Sequence, residues 1–339
     1  MAKYRVEDIR NVALAGHGAS GKTSLADALL FQAKAVDRRG SVDDGSSVSD
    51  YDEEEHKRRF SIDTSVLHLE HKGKVIHLLD TPGYPDFVGA ALGALSAVET
   101  VAVVVSAANG VEVNTRRMFN EAGKRGLARV LVVNKLDADN VKFTDLLKTL
   151  KDTFGNGCAL FNAPVNPGPK FSGVVSVLNP PAAAPAGCPV DLVAARSQLV
   201  DAVVESDEAL MEKYLMEGSV SAEELAAALP KALAAGTVIP IFCTAAKKDT
   251  GVAELLEGLT EYALSPAQGK KRVAKKGTGE AAQDVALEPN PAGEFVGQVF
   301  KTLTDKFVGN LSFIRVYSGT YKAEQPLYNA RTDKSARAA

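Results

Sequence analysis

The chain has 339 residues with a formal net charge of -3, and at roughly 100–200 residues per domain it should form two or three domains. Charges of both signs are spread throughout, which excludes a large basic footprint for nucleic acid, and no apolar run reaches the roughly 18–20 residues that span a bilayer. The cysteines, Cys158, Cys188 and Cys243, match no zinc spacing and suit a reducing compartment, so a soluble, cytoplasmic, monomeric protein with structural thiols and no membrane partner is expected.

In chain order, short β-branched runs at 11–15, 75–79, 101–105, 130–133 and 238–243 alternate with amphipathic helical patterns at 22–33, 87–98, 114–124, 143–154 and 252–264. That rhythm predicts an α/β fold, a mainly parallel sheet wrapped by helices, with ligands at the carboxyl ends of the strands. The rhythm breaks between Gly155 and Gly236, where a proline-rich stretch precedes a helical region over 191–235. This segment reads as an insertion packed on the sheet domain. The run 265–293 holds Lys270-Lys271-Arg272 and Lys275-Lys276 without an apolar period, and reads as a mobile linker. Beyond it, 294–303 and 309–318 alternate like strands, with Thr304-Asp305 and Ser318-Gly319 as turns and a polar end over 333–339. These strands are too few to close a barrel, so the expectation is a truncated chain or a missing partner.

Three motifs follow strand-like runs. Gly16-His17-Gly18-Ala19-Ser20-Gly21-Lys22-Thr23 fits the phosphate-loop pattern, with a strand before it and a helix after it. Its glycines let backbone N–H groups approach phosphate oxygens, and the helix start adds partial positive charge. Lys22 should reach the β- and γ-phosphates and Thr23 should ligate Mg2+. Asp80-Thr81-Pro82-Gly83 presents a carboxylate where a magnesium-bridging acid is needed, and Gly83 can offer its amide to the γ-phosphate. By itself that sequence is an ordinary turn; beside a phosphate loop it reads as functional. Asn134-Lys135-Leu136-Asp137 makes the site a guanine site. Asp137 accepts from the N1 and N2 donors of guanine, and a wrong base would leave its charge unpaired. Lys135 would lie along the base plane and Asn134 would tie this loop to the phosphate loop. The ligands expected are GTP or GDP with Mg2+.

With these motifs in order, residues 10–328 resemble the translational GTPases, specifically elongation factor G and its elongation factor G-like paralogues. The likeness extends to Pro240-Ile241-Phe242-Cys243-Thr244-Ala245-Ala246 with Gly251-Val252, which look like the family's base-backing loop and following helix. Phe300-Lys301, Phe307-Val308-Gly309 and Arg315-Val316-Tyr317-Ser318-Gly319 look like the start of its second, β-barrel domain. The resemblance implies a P-loop GTPase domain over 1–157 and 237–265, an inserted α+β subdomain over 158–236, a linker over 266–293 and a partial β-barrel domain over 294–339. It also implies GTP hydrolysis on the ribosome, as a magnesium-dependent switch, with Thr244, Ala245 and Ala246 contributing to the base site.

Two departures bear on catalysis, for which Lys22, Gly83 and Tyr84 are the candidates. Tyr84 stands where the family has a histidine that orients the attacking water, and a phenol at neutral pH can hold water but not share proton transfer. In the first switch Arg58-Arg59-Phe60-Ser61 matches the family's Arg-Gly-Ile-Thr. Ser61 keeps a hydroxyl for Mg2+, while Arg59 replaces a glycine and alters how the loop folds. In the base-backing loop Ala245 replaces a serine, a smaller change because backbone amides there carry much of the contact. The alternative is a regulatory module that binds GTP with little or no hydrolysis. The acidic-then-basic stretch 50–59 reads as a solvated loop, and His68 and His71 as structural residues of an edge strand rather than metal ligands.

Overall fold

The computed structural model describes residues 4–277, 282–305 and 309–337, in two compact units, Met1–Lys270 and Lys271–Ala339. In the first unit β1 (Ile9–Gly16), α1 (Lys22–Gln32), α2 (Glu53–Arg58), β2 (Ser65–His71), β3 (Lys74–Asp80), α3 (Val88–Ser96), β4 (Thr100–Ser106), α4 (Val113–Lys124), β5 (Ala128–Asn134) and α5 (Phe143–Phe154) follow one another. They are succeeded by β6 (Cys158–Leu160), β7 (Asn162–Val165), β8 (Gly173–Ser176), α6 (Leu192–Val204), α7 (Glu208–Glu217), α8 (Ala222–Ala235), β9 (Ile239–Cys243) and α9 (Val252–Tyr262).

Seven strands form one sheet in the order β2-β3-β1-β4-β5-β9-β6. Within it β2, an edge strand as expected for the His68 segment, runs antiparallel to its neighbour, and the other pairings are parallel. Every residue of β4 is buried, and β1 is buried from Arg10 onward, as a sheet covered on both faces requires. Leu14 and Leu131 of the sheet and Leu25 and Leu29 of α1 are among the fully buried side chains, each contributing about 1.5–3 kcal/mol of burial. Because β1 lies between β3 and β4, the chain departs to opposite sides of it, and a crevice opens at its carboxyl end.

The insertion begins later than the loss of rhythm suggests. Cys158–Leu160 pairs with Ile239–Ile241 as the last strand of the main sheet; at three residues it is too short to register as a periodic run. Past it, β7 and β8 form an antiparallel pair and α6 to α8 follow. The starts of α6, α7 and α8 carry Asp191, Asp207 and the reciprocal pair Ser221 and Glu224 as caps.

In the second unit β10 (Arg272–Lys276) pairs with β11 (Gln283–Leu287), β12 (Val296–Asp305) with β13 (Gly309–Ser318), and β14 (Pro326–Asn329) with β15 (Lys334–Arg337), all antiparallel. The segment read as a linker thus contains a strand pair. Its alternation is masked by charge, yet Lys275 stands directly opposite Asp284, a favourable cross-strand pair. Thr304 and Asp305 are not a turn but the end of β12, opposite Asn310 and Gly309. The polar end supplies β15. Residues 278–281, Phe307-Val308 and Ala338-Ala339 lie outside the described residues.

Candidate nucleotide-binding site

The phosphate loop runs from the end of β1 into α1. Gly21, the residue before the helix, has φ 91°, and a Cβ on it would lie 2.6 Å from the Asn134 side-chain nitrogen. Both the backbone angle and this approach require glycine. Lys22 is buried, and its ammonium donates to the His17 carbonyl at 2.9 Å. Burial pulls its pKa down to about 8, against the opposing fields of Asp80, Asp50 and Glu112.

The Asp80 loop packs directly on the phosphate loop. Thr81 donates twice to the Leu14 carbonyl, from its amide at 3.2 Å and its hydroxyl at 2.7 Å. A Cβ on Gly83 would collide with the Lys22 ammonium and come within 2.7 Å of the Gly18 nitrogen, so only glycine fits. Buried Asn114, from the first turn of α4, donates to the Gly83 carbonyl at 2.7 Å and so fixes that peptide's orientation.

Around Asp80 the donors are oxygens. Burial pushes its carboxyl up to about 6, opposed by Lys22 and by hydrogen bonds from Ser49 and Thr23; the Ser49 hydroxyl donates to it at 2.7 Å. Thr23 and Ser61 hydroxyls lie 3.0 Å apart, and Ser61 donates to Asp50 at 2.7 Å. One oxygen each of Asp80 and Asp50 is buried without a hydrogen-bond partner. Two buried carboxylates with unpartnered oxygens beside two hydroxyls suit a hard divalent cation such as Mg2+. Thr23, Asp80 and Ser61 would hold it.

The segment read as a solvated loop is therefore partly interior. Asp50 and Glu55 are both buried. Glu55 caps α2 by accepting from the Asp52 amide, and its other oxygen accepts from the amides of Ile62, at 2.8 Å, and Asp63. Those bonds shape the loop that carries Ser61. Arg59 ends α2 with φ 58° and ψ 37°, the left-handed conformation that glycine adopts most easily. The loop turns as it would with glycine, and the arginine absorbs the strain. The Phe60 ring stacks obliquely on Tyr84.

On the base side, Asn134 joins three segments. Its amide donates to the Ser20 carbonyl at 3.1 Å, while its oxygen accepts from the Ala246 amide at 3.0 Å and the Thr244 hydroxyl at 3.2 Å. Lys135 reaches back to the Ala19 carbonyl at 2.7 Å. Half-buried Asp137 lies 3.7 Å from the Lys248 ammonium. The Leu136 amide donates to the Thr244 carbonyl, which locks the two loops together. The amides of Ala245 and Ala246 are engaged within the protein, with Thr250 and Asn134. A cavity of about 260 Å3, lined by Asn134, Asp137, Ala138 and Ala246, adjoins one of about 180 Å3 lined by the phosphate loop, Asp50, Ser61 and Tyr84. Gly21, Ser24, Lys135 and Lys247 line both. The three motifs thus converge on one continuous crevice with a phosphate end and a base end.

Residues 7–265 match the family described as Elongation factor Tu GTP binding domain. The chain belongs to that family. It is 31% identical over 344 residues to Elongation factor G 2 of Desulfotalea psychrophila, a match covering 97% of this chain and 49% of that protein. A crystal structure of a Thermus thermophilus protein superposes with a TM-score of 0.80 at 32% identity, over 98% of this chain and 48% of the other. The chain thus spans about half the length of these relatives. The fold is shared beyond the GTP-binding domain, into the antiparallel strand pairs that resemble the start of a β-barrel domain.

Within the GTP-binding family arrangement, Ser49, Asp50, Glu55 and Asn114 are the residues that motif reading misses. Asp50 and Glu55 sit in a charge-rich run whose pattern signals solvent, and Asn114 has no motif at all. Only the packing of α4 beside the Asp80 loop gives Asn114 its role. Among the described residues no group of three or more His, Cys, Asp or Glu side chains is placed to hold a metal ion, so a cation in the crevice would depend on hydroxyl and phosphate oxygens as well as carboxylates. No helix among them is long and apolar enough to cross a membrane. Cys158 and Cys243 are buried and burial raises both thiols, Cys158 to about 12, which makes them inert.

Proposed function

We propose that the chain binds GTP and GDP with Mg2+, hydrolyses GTP, and works as a cytoplasmic switch on the ribosome during translation elongation. The observation that carries this reading is the position of Asn134, bonded to the phosphate loop through Ser20 and to the base-side loop through Ala246. That link supports one rigid crevice for a guanine nucleotide, with residues 16–23 holding phosphates and Asp137 pairing with the base.

Lys22, the amide of Gly83 and the start of α1 stabilise charge on the transferring phosphoryl group. Magnesium, when bound, neutralises charge between the outer phosphates. Tyr84 positions water through its hydroxyl, without taking its proton, which implies low intrinsic turnover. The segments around Ser61 and Asp80 are the switch elements, ordered with GTP and released after hydrolysis. The division into a GTPase domain over 1–157 and 237–265 with an insertion between them belongs to the same reading, with the insertion's boundary moved past β6.

The test is steady-state GTP hydrolysis by the purified chain, with and without ribosomes, at fixed magnesium and salt. Ribosome stimulation supports the proposal. Tight GTP binding without turnover in either condition would replace it with a binding module.

A further inference from the structure

The first switch does not end beside the phosphate loop. Its leading part, 39–48, crosses to the far side of the crevice and attaches to the loop that backs the base. The Arg39 guanidinium is 2.7 Å from the Asp249 carboxylate and also donates to the Ala246 carbonyl. Ala246 is the residue whose amide holds Asn134. One fork from the switch therefore grips the peptide segment that shapes the base site. Nearby, Lys247 pairs with Asp43, and both residues line the cavity that also contains the phosphate loop.

The other end of the segment is fixed to α1. Buried Asp27 accepts from the Val48 amide at 3.2 Å. Gly40 runs so close beneath the segment that a Cβ there would lie 2.8 Å from an Asp27 oxygen and 2.8 Å from the Ser46 carbonyl. The strap is thus anchored at both ends, with Val42 and Asp43 facing the crevice between its anchors.

Resting on the guanine-nucleotide reading above, we propose that Arg39 is a positioning residue: it clamps the Ala246–Asp249 loop, and its release is required before nucleotide leaves. A guanidinium serves here because its planar fork satisfies a carboxylate and a carbonyl together, which an ammonium does less well. The two members of the clamp act on the same event, so their removal should not be additive. The Lys247–Asp43 pair is exposed on both sides and contributes little by comparison.

The experiment is release of a fluorescent N-methylanthraniloyl GDP from the whole chain, followed by stopped flow after a chase with unlabelled GDP. Arg39→Ala is expected to speed release about tenfold, a loss of roughly 1.4 kcal/mol. Arg39→Lys should fall between that variant and the wild type. Asp249→Asn should speed release, and the double variant Arg39→Ala with Asp249→Asn should be no faster than Arg39→Ala alone. Thermal melting without nucleotide should be unchanged for Arg39→Ala. Wild-type release rates in Arg39→Ala would overturn the clamp. So would faster release accompanied by a lowered melting temperature, which assigns Arg39 to folding. Failure of the wild-type chain to bind the labelled GDP with magnesium present would instead remove the guanine-nucleotide reading, and the clamp with it.

Discussion

The ring of Tyr84 lies 4.7 Å from that of Phe60, inclined at 56°, and the same tyrosine closes over Gly18, where an added Cβ would meet it at 3.1 Å. Tyr84 is therefore a packing element between the first switch and the phosphate loop. Tyr84→Phe keeps the ring contacts and removes only the hydroxyl. It should leave GTP affinity unchanged and slow ribosome-stimulated hydrolysis about three- to tenfold, the size of one hydrogen bond. An unchanged kcat would confine Tyr84 to packing.

Arg59 tests how the switch tolerates a side chain where glycine is favoured. At φ 58° a non-glycine residue carries a local cost of roughly 1–2 kcal/mol, partly offset by the extra freedom of glycine in the unfolded chain. Arg59→Gly should hold stability level or raise it by up to about 1 kcal/mol, as measured by urea unfolding. A clear loss would mean that the guanidinium makes contacts outweighing the strain.

Asn134 couples the two ends of the crevice. Replacing it with alanine leaves the Ala246 amide and the Ser20 carbonyl without their partner in a buried setting. Asn134→Ala should destabilise the chain by about 1–3 kcal/mol and weaken GDP binding at the same time, observable by chemical unfolding and by titration calorimetry. Asn134→Asp, which keeps the acceptor but loses the donor to Ser20, should weaken binding as well. Full GDP affinity in both variants would dismiss the bridging role.

Asp80 makes nucleotide-free stability depend on pH. Burial holds its folded pKa at about 6, above the ordinary 3.8, so the folded state binds the proton more tightly than the unfolded state. The resulting stabilisation is complete below about pH 3.8, is lost as pH rises to about 6, and is absent above it. Isosteric Asp80→Asn should flatten this part of the stability-against-pH curve and raise metal-free stability at pH 7 by about 2–3 kcal/mol. It should also abolish the tightening of GDP binding by magnesium. Parallel curves for the two proteins between about pH 4 and 6 would remove Asp80 as the source.

Much of the GTP-binding core is readable residue by residue. The five principal strand runs and five main helical patterns are local signals, since a buried parallel strand must be continuously apolar and a covering helix must be amphipathic. The helix over Phe143–Phe154 coincides with its periodic pattern. Gly21, Lys22, Thr23, Asp80, Asn134 and Asp137 stand out because phosphate and guanine chemistry restricts residue type and spacing at strand ends. Where periodicity is short or hidden by charge, as in β6, β10 and β11, the sequence carries no usable pattern.

Contacts between segments far apart in the chain arise only once the chain has folded. Asn114 on Gly83, Arg39 on Ala246 and Asp249, and Asp50 on Ser61 are side chains whose partners are selected by packing. Asp50 and Glu55 read as solvated because a charged run usually stays in water; here hydroxyls and amides of the same loop turn inward and give them partners. Arg59 reads as a change to the loop, yet the cap of α2 and the bonds to Glu55 impose the left-handed turn upon it. Local chemistry by itself marked the three motifs at strand ends that line one crevice. The fold determined which side chains hold that crevice together, because hydrogen bonds across it depend on distances that no single segment encodes.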